Sequence, residues 1–318
     1  MNEQQHAPEP GAHPRIVVGV DGSPDSLAAL KAGAWAAAAR GGTLTAVLCW
    51  AAPLGFRGVP LVLPEMREEA EETLRKAVHD ALGEHPIVPV SRIVTPEIPA
   101  VALVGTSHGA DLLVVGSRGH GGFGGLLIGS ISMACTMHAH CPVLVVHGGA
   151  ALTDAQEARS GARVVVGVGH GPAAVQLLRT ASQVADELDA ELLAITAWQY
   201  PARPARDRPD IFAELRSAAE RTLEEQVNAA FLHGRPPRLK TEIRQGPAAA
   251  VLVDASRTAD VVVVGRIGRS RFAGVLLGSV SLPVAEHAEC PVLVVPDAPG
   301  TVPEPEHDHA ETAAAGVG

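Results

Sequence analysis

The sequence is poor in cysteine and in aromatic residues. It contains 4 cysteines in 318 residues, and only 3% of its residues are aromatic. So few cysteines, spread widely along the chain, exclude the disulfide framework of a small secreted domain and favour free thiols in a reducing compartment. With so few aromatic rings, the core has to be built from Val, Leu, Ile and Ala. Aliphatic runs of this kind are typical of strands that are buried on both faces of a parallel sheet.

A basic excess is also missing. Lys and Arg number 25 against 35 Asp and Glu, which gives a formal net charge of −10. Because a general nucleic-acid-binding protein needs a basic face to displace counterions, we expect no nucleic-acid partner. A site for a small nucleotide remains compatible with this charge, since backbone N–H groups and helix N-termini can hold phosphates.

Long apolar stretches are absent as well. No window approaches the roughly 18–20 uninterrupted apolar residues of a membrane helix, and residues 1–15 have no apolar segment like that of a secretory signal. We therefore expect a soluble, cytoplasmic protein with no membrane partner. Its length of 318 residues predicts two domains.

The chain does contain an internal repeat. Residues 16–21 read IVVGVD, and residues 164–169 read VVVGVG. The sequence CPVLVV occurs at both 141–146 and 290–295. This period is far longer than the roughly 20–50 residues of a solenoid repeat, so it indicates a duplicated domain.

The repeat defines a domain organisation. The two ends lack apolar periodicity and are rich in Pro, Ala, Glu and His, which predicts disordered tails, and the stretch between the copies is short, small and polar. His307 and His309 could bind a metal, but a solvated tail is the simpler interpretation. The predicted units are an N-terminal tail (1–13), a first domain (14–148), a linker (149–161), a second domain (162–296) and a C-terminal tail (297–318).

Strands and helices alternate along each copy, which implies right-handed crossovers and a parallel sheet. The predicted fold is α/β, with two tandem Rossmann-like domains, each a five-stranded parallel-type sheet with helices on both faces. In the first copy we predict strands at about 15–20, 43–50, 87–94, 111–116 and 142–146, and helices at about 25–40, 64–83, 97–108 and 130–140.

A glycine motif follows the predicted fourth strand of each copy, and its last two residues open a predicted helix. Glycine lets the backbone approach an oxyanion closely, and a helix N-terminus offers unpaired N–H groups and the positive end of a dipole. The alternative is that the glycines make tight turns and the serines cap helices. The motif consists of Gly116, Gly119, Gly129 and Ser130 in the first copy and of Gly265, Gly268, Gly278 and Ser279 in the second.

Asp21 stands at the carboxyl end of the first strand, on the edge of the sheet where open α/β folds bind ligands. A carboxylate there could bond a ribose or an adenine, or hold Mg²⁺. Equally, Asp21 or Ser23 could cap the following helix. The spacing alone leaves both interpretations open.

Together, these motifs resemble the universal stress protein family, whose ATP-binding members carry Gly-x2-Gly-x9-Gly-Ser/Thr after the fourth strand. Three segments are similar to sequences that are typical of that family: residues 18–23 (VGVDGS), 111–123 (DLLVVGSRGHGGF) and 127–132 (LIGSIS). The likeness covers residues 15–147 and 163–296, and it implies the adenine nucleotide α-hydrolase-like form of the fold.

The resemblance implies a nucleotide in each domain: ATP, or ADP or AMP, together with Mg²⁺. Asp21 would contact the base, the ribose or the metal, the glycines and Ser130 would hold the phosphates, and residues 49–51 would line the adenine pocket. With their neighbours in the motifs, the predicted nucleotide-binding residues are Asp21, Gly22, Ser23, Cys49, Trp50, Ala51, Gly116, Arg118, Gly119, Gly129, Ser130, Ile131, Ser132, Gly265, Gly268, Gly278, Ser279, Val280 and Ser281.

The family resemblance also implies pairing through the last strand of each domain, here Val143–Val146 and Val292–Val295. Two tandem domains could make that pairing within one chain, and we further expect a homodimer. The second copy departs from the pattern, because it has Gly169 where the first has Asp21. This loss of the carboxylate predicts a second site that binds nucleotide more weakly.

The function implied is that of a nucleotide-dependent stress-response sensor, which acts on a regulatory protein partner through a conformational or oligomeric change. We expect no enzymatic activity beyond weak ATP hydrolysis. The alternatives are an adenylating enzyme on the same fold and a scaffold that binds no nucleotide. A cluster of Cys135, His138, His140 and Cys141 could form a metal site or a nucleophile, but inert core thiols and helix-end histidines are the simpler interpretation.

Overall fold

The structure is a computed structural model that describes residues 13–50, 64–119, 128–148, 161–199, 209–266 and 278–296. Nearly all of the predicted tails and linker, including His307 and His309, lie outside these ranges. The described strands are β1 (Arg15–Val20), β2 (Thr43–Cys49), β3 (Val90–Thr95), β4 (Leu112–Gly116), β5 (Val143–Val146), β6 (Arg163–Gly167), β7 (Glu191–Trp198), β8 (Leu239–Gln245), β9 (Val261–Gly265) and β10 (Val292–Val295).

Helices alternate with these strands, as the sequence predicts. Within the described residues they are α1 (Pro24–Ala39), α2 (Pro64–Leu82), α3 (Pro99–Thr106), α4 (Ser130–His138), α5 (Pro172–Glu187), α6 (Pro209–Ala230), α7 (Ala248–Ser256) and α8 (Ser281–His287).

The central strands are buried on both faces of the sheet. In β1, Ile16 and Val18 point into a core formed with α1 and α2, whereas Val17 points into a separate core with Leu103 of α3 and Cys135 of α4. Each of these three strand residues is fully buried. Two-sided burial is the reason that the strands read as unbroken aliphatic runs rather than as alternating patterns.

All ten strands belong to one sheet, with the order β3-β2-β1-β4-β5-β10-β9-β6-β7-β8. Each half is a parallel five-stranded sheet, which confirms the predicted fold class. The halves join where β5 and β10 pair antiparallel, with Leu144 opposite Leu293. The last strands therefore pair inside one chain, as the duplication allows.

Further contacts connect the halves beside this central pair. Arg40 at the end of α1 makes a bidentate ion pair with Glu187 of α5, at 2.9 and 3.1 Å. An Nη atom of Arg266 donates to the Ala139 carbonyl at 2.8 Å, a contact between a cation and the C-terminal end of α4 that the helix dipole favours. Pairing of the last strands is thus reinforced by side chains on both sides of the seam.

Several element boundaries differ from the prediction by two or three residues, and proline explains two of these differences. Strand β3 begins at Val90 and not near 87, because Pro89 has no N–H with which to join the ladder to β2. Helix α8 begins at Ser281, two residues after the predicted start at Ser279. A start at Ser279 would place Pro283 beyond the first turn, where its missing N–H and its ring would disrupt the helix.

Candidate functional site

The candidate site lies where β1 and β4 end side by side. These strands pair in parallel, with Ile16 opposite Leu112. The chain leaves β1 toward β2 on one side and returns to β4 on the other. Such a reversal is the topological switch point, beyond which open α/β sheets bind their ligands. Asp21 follows β1 and Gly116 ends β4, so the fold brings these two predicted residues to the same place.

The turn from β1 into α1 contains Asp21, Gly22 and Ser23. Gly22 has a φ of 84°, in the left-handed region that glycine adopts without steric cost. The Ser23 amide donates to Oδ1 of Asp21 at 3.0 Å, and Oγ of Ser23 accepts from the Ser26 amide at 3.3 Å. Of the two capping alternatives, Ser23 is therefore the N-cap of α1, while the exposed Asp21 fixes the turn with one of its oxygens.

The first residues after β4 lie against this turn. A Cβ atom at Gly119 would overlap Oδ2 of Asp21, and a Cβ at Gly116 would lie 2.8 Å from that of Asp25. Oγ of Ser23 also reaches the Arg118 carbonyl, at 3.5 Å. The first two glycines of the motif are thus required for close approach, and they bring the loop backbone beside the Asp21 carboxylate.

Helix α4 begins at the third glycine of the motif. Gly129 is its N-cap, and its amide donates to the Ser117 carbonyl at 2.7 Å. The first intrahelical donor is the Met133 amide, which bonds the Gly129 carbonyl. The amides of residues 130–132 precede it and have no acceptor within the helix. Because Ser130 and Ile131 are exposed, this positive helix end can receive an anion.

The Ser132 side chain turns inward instead. Its hydroxyl is buried and donates to the Gly116 carbonyl at 2.6 Å. Ser281 makes the equivalent bond to Gly265 in the second copy. These hydroxyls tie the start of the helix to the end of the preceding strand, and so they position the loop.

The end of β2 forms another wall at this edge of the sheet. The Trp50 amide donates to the Thr95 carbonyl of β3 at 3.0 Å, and Nε1 of Trp50 is buried without a hydrogen-bond partner in the described part of the chain. Cys49 is half-buried, and burial, with a smaller contribution from Glu97, raises the pKa of its thiol to about 11. Cys49 is therefore a neutral wall residue. Ala51 lies outside the described residues.

Asp25, which the sequence analysis did not single out, holds the start of the loop after β4 through hydrogen bonds. It is 9% exposed and stands in the first turn of α1. Its Oδ2 accepts from Oγ of Ser117 at 2.9 Å and from the amide of Arg118 at 3.0 Å. An acidic residue in a first turn is commonly explained by the helix dipole. The available signal was the second copy, where Ala173 replaces Asp25 and Arg266 replaces Ser117 together.

The second copy keeps the backbone hydrogen bonds at both ends of the loop. The Arg266 amide donates to the Val295 carbonyl and the Gly278 amide to the Arg266 carbonyl, at 2.7 and 2.9 Å. The Ser117 and Gly129 amides make the matching bonds in the first copy. Ser279 and Val280 lie in a turn before α8, and Gly268 lies outside the described residues.

The carboxylate side of the second site is different. Gly169 and Gly171 replace Asp21 and Ser23, so the turn carries neither carboxylate nor hydroxyl. His170 instead bonds Oγ1 of Thr222 on α6, at 3.2 Å from its Nε2. Trp198, the counterpart of Trp50, packs edge-on against Phe212 with 4.8 Å between ring centroids. Contacts within the protein thus occupy the side chains that border this site.

The two cysteines of the Cys and His cluster lie in the core of the first half, whereas His138 and His140 are exposed. Burial raises the pKa values of Cys135 and Cys141 to about 12, so both are neutral thiols. His140 stacks on His108 with ring centroids 3.5 Å apart. Across the described ranges, no group of three or more His, Cys, Asp or Glu side chains could hold a metal ion. No helix in those ranges is both long and apolar enough to span a membrane.

Comparison with known proteins gives consistent matches over both copies. The model of the Universal stress protein family matches residues 13–147 and again residues 162–296. A universal stress protein of Mycolicibacterium smegmatis is 33% identical over 293 residues, covering 88% of this chain and 96% of that protein. One from Mycobacterium tuberculosis is 32% identical over 297 residues, covering 88% and 95%. The crystal structure of a universal stress protein from Archaeoglobus fulgidus has a TM-score of 0.60, with 17% identity and coverage of 89% and 98%, a likeness of fold.

Proposed function

The chain belongs to the universal stress protein family, and we propose that its first copy binds an adenine nucleotide, ATP, ADP or AMP, together with Mg²⁺. The observation that carries this proposal is the meeting of three features at one switch point. They are the Asp21 carboxylate, the side-chain-free backbone at Gly119, and the first amides of α4, which have no acceptor within the helix.

Each feature fits one part of a nucleotide. The amides of residues 130–132 suit phosphate oxygens, which are held by helix N-termini without any basic side chain. Asp21 suits a ribose hydroxyl or Mg²⁺, since carboxylates accept hydrogen bonds and are preferred ligands of that ion. Trp50, with a buried N–H that has no partner in the described residues, suits the base, because buried donors are normally paired.

We further propose binding rather than turnover. Both carboxylates near the loop are engaged with the protein: Asp21 accepts from the Ser23 amide, and Asp25 accepts from Ser117 and Arg118. These contacts favour roles in holding the ligand and the loop over a role as general base. Bound nucleotide would then stabilise one conformation of the chain, which a partner protein reads during stress.

The second copy is proposed to bind more weakly. Its loop frame supports a phosphate site, but Gly169 removes the carboxylate. Losing one charge-assisted hydrogen bond costs about 1.5–3 kcal/mol, or roughly 10- to 150-fold in affinity. Because β5 and β10 already pair with each other, a homodimer of chains would need a surface other than the last strands.

The first experiment identifies any ligand that copurifies. Protein purified without added nucleotide is denatured, and the released molecules are identified by chromatography and mass. Ligand-free protein is then titrated with ATP–Mg²⁺ by calorimetry. We expect one tight site per chain. Two equal sites would contradict the inequality of the copies, and neither bound ligand nor uptake would refute nucleotide binding and favour a scaffold.

Gly129→Ala is the sharpest variant for this titration. A Cβ at this position would be 3.4 Å from the Ser117 carbonyl oxygen, an ordinary contact, so the protein should fold normally. The added methyl group would nevertheless stand at the approach to the α4 amides and weaken ATP binding. Gly105→Ala on α3 is the matched control, because a Cβ there meets nothing within 4 Å.

A further inference from the structure

Asp25 connects the loop after β4 to the end of β5. One of its oxygens accepts from Ser117 and Arg118. The other oxygen lies directly against Gly148, where a Cβ would overlap it. The Ser117 amide also donates to the Val146 carbonyl at 2.7 Å. A shift of the loop must therefore move the chain segment that leaves β5.

That segment makes a contact with the second half through His147. Its Nε2 lies 3.0 Å from the carbonyl oxygen of Ala285 in α8. Burial lowers the pKa of His147, against smaller opposing effects of the Ala285 carbonyl and the Asp25 carboxylate. The ring is therefore neutral at physiological pH, and Nε2–H donates to Ala285. The Nδ1 atom is buried without a hydrogen-bond partner among the described residues.

The second copy has no equivalent path. Ala173 stands in place of Asp25, and Arg266, in place of Ser117, sends its side chain across the seam to Ala139. Both ends of the connection are thus changed in the copy that also lacks the Asp21 carboxylate. Asp25 is buried and hydrogen-bonded in the first copy, and the second copy has no carboxylate at this position.

We propose that Asp25 is a positioning residue that couples nucleotide binding at the first site to the contact between His147 and α8 of the second half. This inference rests on the proposed function and adds its regulation. A ligand can shift a conformational equilibrium only through contacts that differ between the states. Phosphates at the loop supply that difference, because Asp25 fixes the loop residues Ser117 and Arg118 and also packs against Gly148.

The test measures amide hydrogen exchange in α8, residues 281–287, with and without ATP–Mg²⁺, beside the dissociation constant for ATP. In the wild-type protein we expect ATP to slow exchange in α8. Asp25→Ala should abolish that response and weaken ATP binding by roughly 5- to 150-fold, the usual range of coupling between sites. Asp25→Asn should keep most of the exchange response and most of the ATP affinity, because its side-chain oxygen can still accept from Ser117 and Arg118.

His147→Ala provides the reciprocal measurement. Linkage requires that a contact strengthened by the ligand also strengthens ligand binding, so this variant should weaken ATP binding without touching the loop. The double variant, Asp25→Ala with His147→Ala, should lose less ATP affinity than the product of the two single fold-changes. Arg40→Ala is the control, since it breaks a pair between the halves at the opposite end of α1 and should leave both readouts unchanged.

The outcomes separate this inference from the proposed function. If the wild-type protein takes up no ATP, both are wrong. If it binds ATP but exchange in α8 does not respond, the site stands and the coupling is refuted. Equal losses in Asp25→Asn and Asp25→Ala, or full affinity in His147→Ala, would also overturn the coupling.

Discussion

Replacing Gly119 with alanine tests whether the Asp21 carboxylate acts at the site through its position. A Cβ at residue 119 would overlap Oδ2 of Asp21, at the end of an exposed side chain. The carboxylate therefore has to move by about 1 Å, which takes a hydrogen bond of about 2.8 Å to a ligand beyond its useful length. The backbone around the loop need not change.

The expected cost follows from the bond that is lost. A hydrogen bond to a charged group contributes about 1.5–3 kcal/mol, so Gly119→Ala should weaken ATP binding by roughly 10- to 150-fold. Stability should change by less than about 1 kcal/mol, because the displaced group is on the surface and alanine restricts the unfolded chain. Calorimetric titration with ATP–Mg²⁺ and urea unfolding measure the two quantities.

Combination with Asp21→Ala makes the reasoning refutable. Without the carboxylate, the added methyl group has nothing to displace, so the double variant should bind ATP no more weakly than Asp21→Ala alone. Additive losses would mean that residue 119 itself obstructs the ligand. Wild-type affinity in Gly119→Ala would mean that Asp21 makes no contact there. Gly105→Ala again serves as the control.

Two further predictions concern the seam between the halves. Leu293→Ala should reduce the free energy of unfolding by about 2–5 kcal/mol, because Leu293 is 3% exposed and pairs with Leu144 at the centre of the sheet; a loss well below this in urea unfolding would contradict a continuous core. Acidification should weaken the fold, since burial lowers the pKa values of His147 and of His140, the latter also beside His108 and Arg266. Just below about pH 6.5, the unfolded chain then binds more protons than the folded chain, so stability should fall as the pH drops through that value. A urea unfolding midpoint that stays constant between about pH 7.5 and 5.5 would contradict this.

Much of the fold was predictable because the physics that sets it is local or periodic. Because β1 and β4 are buried on both faces, their sequences are aliphatic runs, and the same runs occur again in the second copy. The switch point follows from the order of strands, so Asp21 and Gly116 could be brought together without coordinates. The pairing of β5 with β10 was foreseen from the family resemblance and the duplication, not from the strand sequences, which are the same in both copies.

The remaining features depend on directions of side chains that a sequence does not contain. Ser132 follows the motif as a ligand residue would, yet its hydroxyl bonds the Gly116 carbonyl. Asp25 has the sequence position of an ordinary first-turn acid, and its contact with Ser117, 92 positions along the chain, is set only by the fold. The late start of α8 could have been read from Pro283, because a proline limits how much helix can precede it.

Among the differences between the copies, those at the switch point and those at the seam have opposite effects. At the switch point, the second copy loses Asp21, Ser23 and Asp25, all of which hold the turn or the loop of the first. At the seam it gains Arg266, whose guanidinium bonds the end of α4 in the first half. The pattern fits the proposed division of roles, in which the first half holds the nucleotide and the second half provides contacts across the seam.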